Sequence, residues 1–323
     1  MGRFYGLTRC PERVLEQWMN PKCPSRFAAG QVDVLKEETV MTKHNLRRYF
    51  LFCAVVMTFQ FVLPGLLVAA EPAKIVQAQA ILTVSESKRL IAKAVKEMPI
   101  VKNALTNGMV IIVKGTTNAY VAEEITGKKI EKAAFVRGRI QPAKGGKILP
   151  DVQAVPEVVL EKGKVVDLPL AEAVKKLKQG DVVIKGANAL DHKNKLAGVN
   201  IAAPDGGTTG VIMPYVVARK AYLVIPVGLE KLVAGDLVDL TLKMREPLES
   251  LNGLQSMFLL TGEIVTELEA VSILTGATAF QCSAGGIGGA EGSVWLVFRG
   301  TMEQVTEALK LVQSIQGEPP YIE

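Results

Sequence analysis

Three short runs place glycines, hydroxyls and cations where an anion could be held. They are Lys114-Gly115-Thr116-Thr117-Asn118, Lys185-Gly186-Ala187-Asn188-Ala189-Leu190-Asp191 and Asp205-Gly206-Gly207-Thr208-Thr209-Gly210. Backbone N–H groups at a helix N-terminus point outward and favour negative charge. Glycine lets a ligand approach the backbone closely, and threonine hydroxyls add donors. Asn188 and Asp191 can hydrogen-bond hydroxyls, and the run at 206–209 forms a candidate anion nest. Taken singly, each also reads as an ordinary turn, with Thr as an N-cap or Asn and Asp chosen for turn geometry. Together they sit at strand-to-helix junctions, so they are expected to converge on one edge of a parallel sheet, where open α/β sheets bind ligands.

Other chemistries find little support. The 323 residues hold two histidines and four cysteines, with no CxxC and no His/Cys cluster. No metal and no cofactor is expected. His192 lies in a charged turn and reads as exposed. The run Gly285-Gly286-Ile287-Gly288-Gly289-Ala290-Glu291-Gly292 precedes a strand rather than a helix, so it reads as a β–β connection and not a phosphate loop. Met213, Tyr215, Trp295 and Phe298 read as packing residues, and the lysines of 171–178 as a solvated helix face.

The elements that must position these runs follow from periodicity. Residues 84–106 carry a helical pattern with Ser85 as N-cap, after a polar linker at 71–80. Residues 109–115 are a short β-branched run, typical of a strand buried on both faces, 181–186 read as a further strand, and 221–228 are a fully apolar one. Helices are expected at 119–125, 170–178 and about 210–219, and a strand at 196–203. Residues 129–166 read as short strands and turns. Strands alternating with helices argue a mostly parallel sheet with helices on both faces. From about 256 the order becomes β-α-β-β-α, with a strand at 258–265, which suggests a small α+β unit of ferredoxin-like type.

The segment 84–235 resembles the superfamily of ribose-5-phosphate isomerases, sugar-phosphate-sensing repressor domains and CoA transferases. The likeness rests on GMVIIVKGTTNAYVAEEI, a strand, Gly-Thr-Thr turn and helix, and on the stretch from Asp181 to Val233. By that match Lys231 is the lysine trailing the last core strand. The resemblance implies a crevice for a sugar phosphate or CoA ester. The acids of the isomerase turn are replaced here by Lys185-Gly186-Ala187-Asn188-Ala189, and no Glu stands where the transferases carry their nucleophile. A base would have to be Asp191 or Asp205, since carbon–proton transfer needs a positioned base.

Charge and hydropathy bound the rest. Hydrophobic residues make up 49% and aromatics 6%, which excludes a disordered or collagen-like chain. Residues 49–70 are 22 residues without a charge, behind Lys43, Arg47 and Arg48 and ahead of Val68-Ala69-Ala70. This is the order of a secretory signal, or of a membrane anchor if uncleaved. Either places the body outside the cytoplasm, periplasmic or extracellular. Met41 suggests a start there, with residues 1–40 an over-extended or disordered N-terminus. Of the net charge of +6, residues 1–70 carry +4 and the body +2, so nucleic acid is not an expected partner. The expected domains are 41–70 (leader or anchor), 84–250 (α/β) and 255–323 (α+β). The expected function is a non-catalytic domain binding a small anionic molecule, with a C-terminal module for packing or homo-oligomerisation. Two alternatives are an enzyme on a small phosphorylated or acidic substrate and a membrane-tethered assembly module.

Overall fold

The computed structural model describes residues 73–138, 140, 144 and 152–322. The leader at 41–70 and the stretch 1–40 lie outside these. The chain opens with β1 (Ile75–Leu82), α1 (Val84–Glu97), α2 (Pro99–Asn107), β2 (Met109–Ile112) and α3 (Thr116–Thr126). Then come β3 (Val158–Glu161), β4 (Lys164–Val166), α4 (Leu170–Ala173), β5 (Val182–Ile184), β6 (Ala189–Asp191) and β7 (Leu196–Ile201). Next are α5 (Gly207–Arg219), β8 (Tyr222–Pro226), α6 (Leu237–Lys243), β9 (Ser256–Leu260) and β10 (Glu263–Val265). The last elements are α7 (Glu267–Thr275), β11 (Thr278–Gly285), β12 (Ser293–Thr301) and α8 (Met302–Ile315).

The apolar runs build the central sheet. It has six strands in the order β10-β8-β5-β2-β3-β4. The first four are mutually parallel, while β3 and β4 add antiparallel strands beyond β2. Every residue of β2 and β5 is buried, as strands flanked on both sides and covered on both faces must be. Asp181 sets the start of this pair. One carboxylate oxygen accepts from the Met109 N–H at 2.8 Å and the other from the Lys178 N–H at 2.7 Å.

Local chemistry fixes several ends differently from expectation. Thr83, not Ser85, caps α1, in a capping box where Glu86 Oε2 accepts from the Thr83 N–H at 2.8 Å. The single helix expected over 84–106 is two, because the residue before a proline avoids the helical region. Met98 is extended (ψ 133°) and Pro99 begins α2. The helix expected at 170–178 is one turn of α4 followed by a 3₁₀ turn at Val174–Lys176.

The linker expected at 71–80 is a strand from Ile75 on. Ile75–Leu82 alternate in burial and pair antiparallel along their whole length with β12, giving a sheet ordered β1-β12-β11. The strand expected at 258–265 is also two. β9 joins a third sheet, β6-β7-β9, while β10 turns away to lie beside β8. Gly262 permits that turn, since a Cβ there would stand 2.4 Å from the Leu223 carbonyl oxygen. Both strands at 256–265 thus belong to sheets begun before residue 250. The boundary expected at 250–255 is crossed by two sheets, and Ala70–Glu323 is one unit. The run 286–292 does connect the antiparallel strands β11 and β12.

The tail after α8 folds back. Glu318 accepts from Arg89 Nε and Nη2, both at 2.9 Å, and Arg89 also pairs with Glu123 and Glu124. The Tyr321 hydroxyl donates to the Lys132 carbonyl at 2.8 Å, with its ring 6.1 Å from that of Tyr120. Among the described residues no helix is long and apolar enough to cross a membrane.

Candidate functional site

β2 and β5 lie side by side and in register, Ile112 opposite Ile184, so their carboxyl ends open together. Lys114 and Gly115 follow the first, Lys185 and Gly186 the second. Asn118, in the first turn of α3, locks the two ends. Its Nδ2 donates to the Val113 carbonyl at 2.7 Å and to the Ile184 carbonyl at 3.1 Å. The Phe135 carbonyl, from the loop after α3, accepts from the Gly115 N–H at 3.1 Å.

These turns line a cavity of about 320 Å³, within the range of small-molecule sites. The third run reaches it as well, through Gly206, Gly207, Thr208 and Thr209 at the start of α5. Gly206 takes the left-handed conformation (φ 79°) at that N-cap. One expectation needs correction here. The third turn follows β7 of the antiparallel sheet, so the cavity lies between two sheets rather than along one parallel edge. Of the expected ligand-binding residues, Gly115, Thr116, Thr117, Asn118, Lys185, Asn188, Gly206, Gly207, Thr208, Thr209 and Lys231 line it.

Asp191 and Asp205 do not. Asp191 accepts from the N–H and the side-chain amide of Asn194, at 3.0 and 2.8 Å, and from the Leu237 N–H at 3.3 Å. These bonds hold its carboxyl below the usual carboxylate range and tie the β6–β7 turn to α6. Asp205 accepts from the Gly207 N–H at 2.8 Å, inside its own turn. Asp191 thus has both carboxylate oxygens bonded within the fold, while Asp205 is an exposed turn residue with one oxygen accepting. His192 is not free either. Its Nε2 lies 2.9 Å from Glu269 and 3.1 Å from Lys195 Nζ.

The lining carries Lys114, Lys185, Lys231 and Arg137, with no carboxylate among the described residues. Two of the lysines are tethered. Lys114 Nζ donates to the Val155 carbonyl at 2.6 Å and faces Glu157 at 3.7 Å. Lys231 Nζ donates to the Ala187 carbonyl at 2.8 Å. Lys185 is 9% exposed, and its ammonium makes no hydrogen bond or ion pair with any described residue. Burial, with the Lys231 charge adding to it, lowers Lys185 to about 8. Burial also lowers Lys231, against the pull of Glu230 and Glu267.

Two further wall atoms lack partners. Thr117 Oγ1 and Asn118 Oδ1 are buried and make no hydrogen bond. Because both Asn118 Nδ2 bonds go to carbonyls, its Oδ1 is an acceptor with nothing to accept from. Buried polar atoms of native structures are normally satisfied, and these two, with almost no accessible surface, are left unpaired behind the cavity lining.

Sequence reasoning missed Arg137 and the residues 199–203. Arg137 comes from a stretch read as strands and turns, with no motif around it. Residues 199–203 were read as a strand alone. No family model, curated protein or solved structure matches the chain.

Proposed function

We propose that this chain is a binding domain for a small organic anion, held where β2, β5 and the start of α5 meet. The observation that carries the reading is the convergence of all three glycine-containing turns on one cavity bordered by four cations. Concentrated positive charge with low-dielectric walls favours a negative ligand. The two acids offered as bases on sequence grounds are engaged elsewhere, and this favours binding over proton transfer.

The unit β2–Gly115-Thr116-Thr117–α3 and the placement of Lys231 at the cavity support a CoA-transferase/isomerase-like core. The sheet β1-β12-β11 with α7 and α8 supports a C-terminal α+β packing module, in which β1 takes the place expected of the strand at 258–265. The apolar run at 49–70 supports export of the body, and the intact mass of the expressed protein tests cleavage there. Binding is tested by thermal shift against inorganic phosphate, sulfate and ribose 5-phosphate. A rise in Tm lost in the double variant Thr116→Ala/Thr117→Ala is the expected result. No rise with any anion overturns the reading.

A further inference from the structure

The cavity holds one amine that the fold does not use. Lys114 and Lys231 are each anchored to a backbone carbonyl, at 2.6 and 2.8 Å. Lys185, at the carboxyl end of β5, is nine-tenths buried and has no partner among the described residues. Its stem is buried while its ammonium, which is not among the buried unpartnered atoms, reaches the cavity, and burying most of a cationic side chain without a counter-ion is costly.

We propose that Lys185 is a nucleophilic lysine that forms an imine with a small anionic carbonyl compound, of the 2-oxo acid or aldehyde phosphate class. This rests on the anion-binding reading, since the anionic group is held by the other cations and the Gly/Thr turns. The neutral amine attacks the carbonyl carbon, forming the C–N bond. The carbonyl oxygen leaves as water with the two amine protons, and uptake of one proton from solvent gives the iminium. No oxidant or reductant is needed.

Two features favour the step. An amine that is desolvated and next to another cation keeps a larger neutral fraction near neutral pH, which is how lysine nucleophiles are activated. Lys185 has both, from its burial and from Lys231, and stands at about 8 rather than 10.5. The anchored ammonium of Lys231 lines the same cavity, where a positive charge favours the negative charge that develops on an attacked carbonyl oxygen.

The test is reductive trapping. The full protein is incubated with pyruvate and sodium cyanoborohydride, which converts an iminium to a stable secondary amine, and the adduct is located by peptide mapping. The expected result is one adduct per chain on Lys185. It is suppressed by inorganic phosphate, lost in Lys185→Arg, and its rate rises with pH up to about 8 and then levels. Mapping in the wild-type chain keeps the test decisive even if the variant folds poorly. Adducts spread over surface lysines, or none at Lys185, overturn the proposal. If phosphate still raises the Tm in that case, the anion site stands and only the imine falls. If none of the three anions raises it, both fall.

Discussion

The side-chain amide of Asn118 donates to the Ile184 carbonyl at 3.1 Å, across the seam between two parallel strands. The bond joins the helix after β2 to the end of β5. It therefore sets the spacing of the two glycine turns that form the cavity floor. Asn118→Ala removes this bond and the one to Val113, and is expected to cost roughly 1–3 kcal/mol in urea unfolding. It should also abolish the phosphate-induced rise in Tm.

Lys185→Met removes a buried cation while keeping an unbranched side chain of similar length. A group held at about 8 instead of 10.5 penalises the folded state by on the order of 3 kcal/mol while protonated. The variant should therefore be more stable than the parent at pH 7, by urea unfolding, and lose phosphate binding. A destabilised variant would mean that Lys185 has a structural partner. The advantage should shrink as pH rises from about 8, because the parent then sheds the proton.

Glu267 gives stability the opposite slope in another window. Its carboxyl is buried, with Oε2 accepting from the Leu229 N–H at 2.9 Å and Oε1 unpartnered. Burial, and next the charge of Glu230, push it up to about 7. Between about 4.5 and 7 the folded chain keeps a proton that the unfolded chain has lost, so stability falls as pH rises. Above about 8, Lys88 and Lys185, both lowered to about 8 mainly by burial, reverse the trend: the unfolded chain then binds more protons and stability rises toward 10.5. Each group contributes a slope of up to about 1.4 kcal/mol per pH unit. Urea titrations across pH 5–10 should show a minimum near 7 to 8. Glu267→Gln should flatten the acid limb alone.

Gly262→Ala tests the crossing of the two sheets. A Cβ there meets the Leu223 backbone oxygen at 2.4 Å, and backbone cannot swing aside as a side-chain tip can. A loss of about 1–3 kcal/mol is expected, as for other overpacked sites. An unchanged unfolding midpoint would show that β10 can slide along β8.

What could be read from residue order was local. β2, β5 and β8 announce themselves as unbroken apolar runs, and the glycine turns behind β2 and β5 mark the cavity. β1 was illegible because IVQAQAIL has only small or amide residues between its few large apolar ones, and its partner begins at Ser293, more than two hundred residues on. The split at Thr261-Gly262 was hidden by a continuous apolar pattern whose two halves face different neighbours. Asp191 and Asp205 looked like acids awaiting a substrate. Whether a carboxylate is already bonded to backbone N–H groups depends on how a turn closes, which residue type does not reveal.

The fold-back of the tail has a practical reach. The Lys132 carbonyl that receives the Tyr321 hydroxyl also accepts from the Phe135 N–H at 3.2 Å, and the Phe135 carbonyl receives the Gly115 N–H. Three hydrogen bonds thus run from the tail to the first glycine of the cavity. An affinity handle fused close behind Tyr321, or trimming by a carboxypeptidase, would be registered at a pocket that the tail does not line.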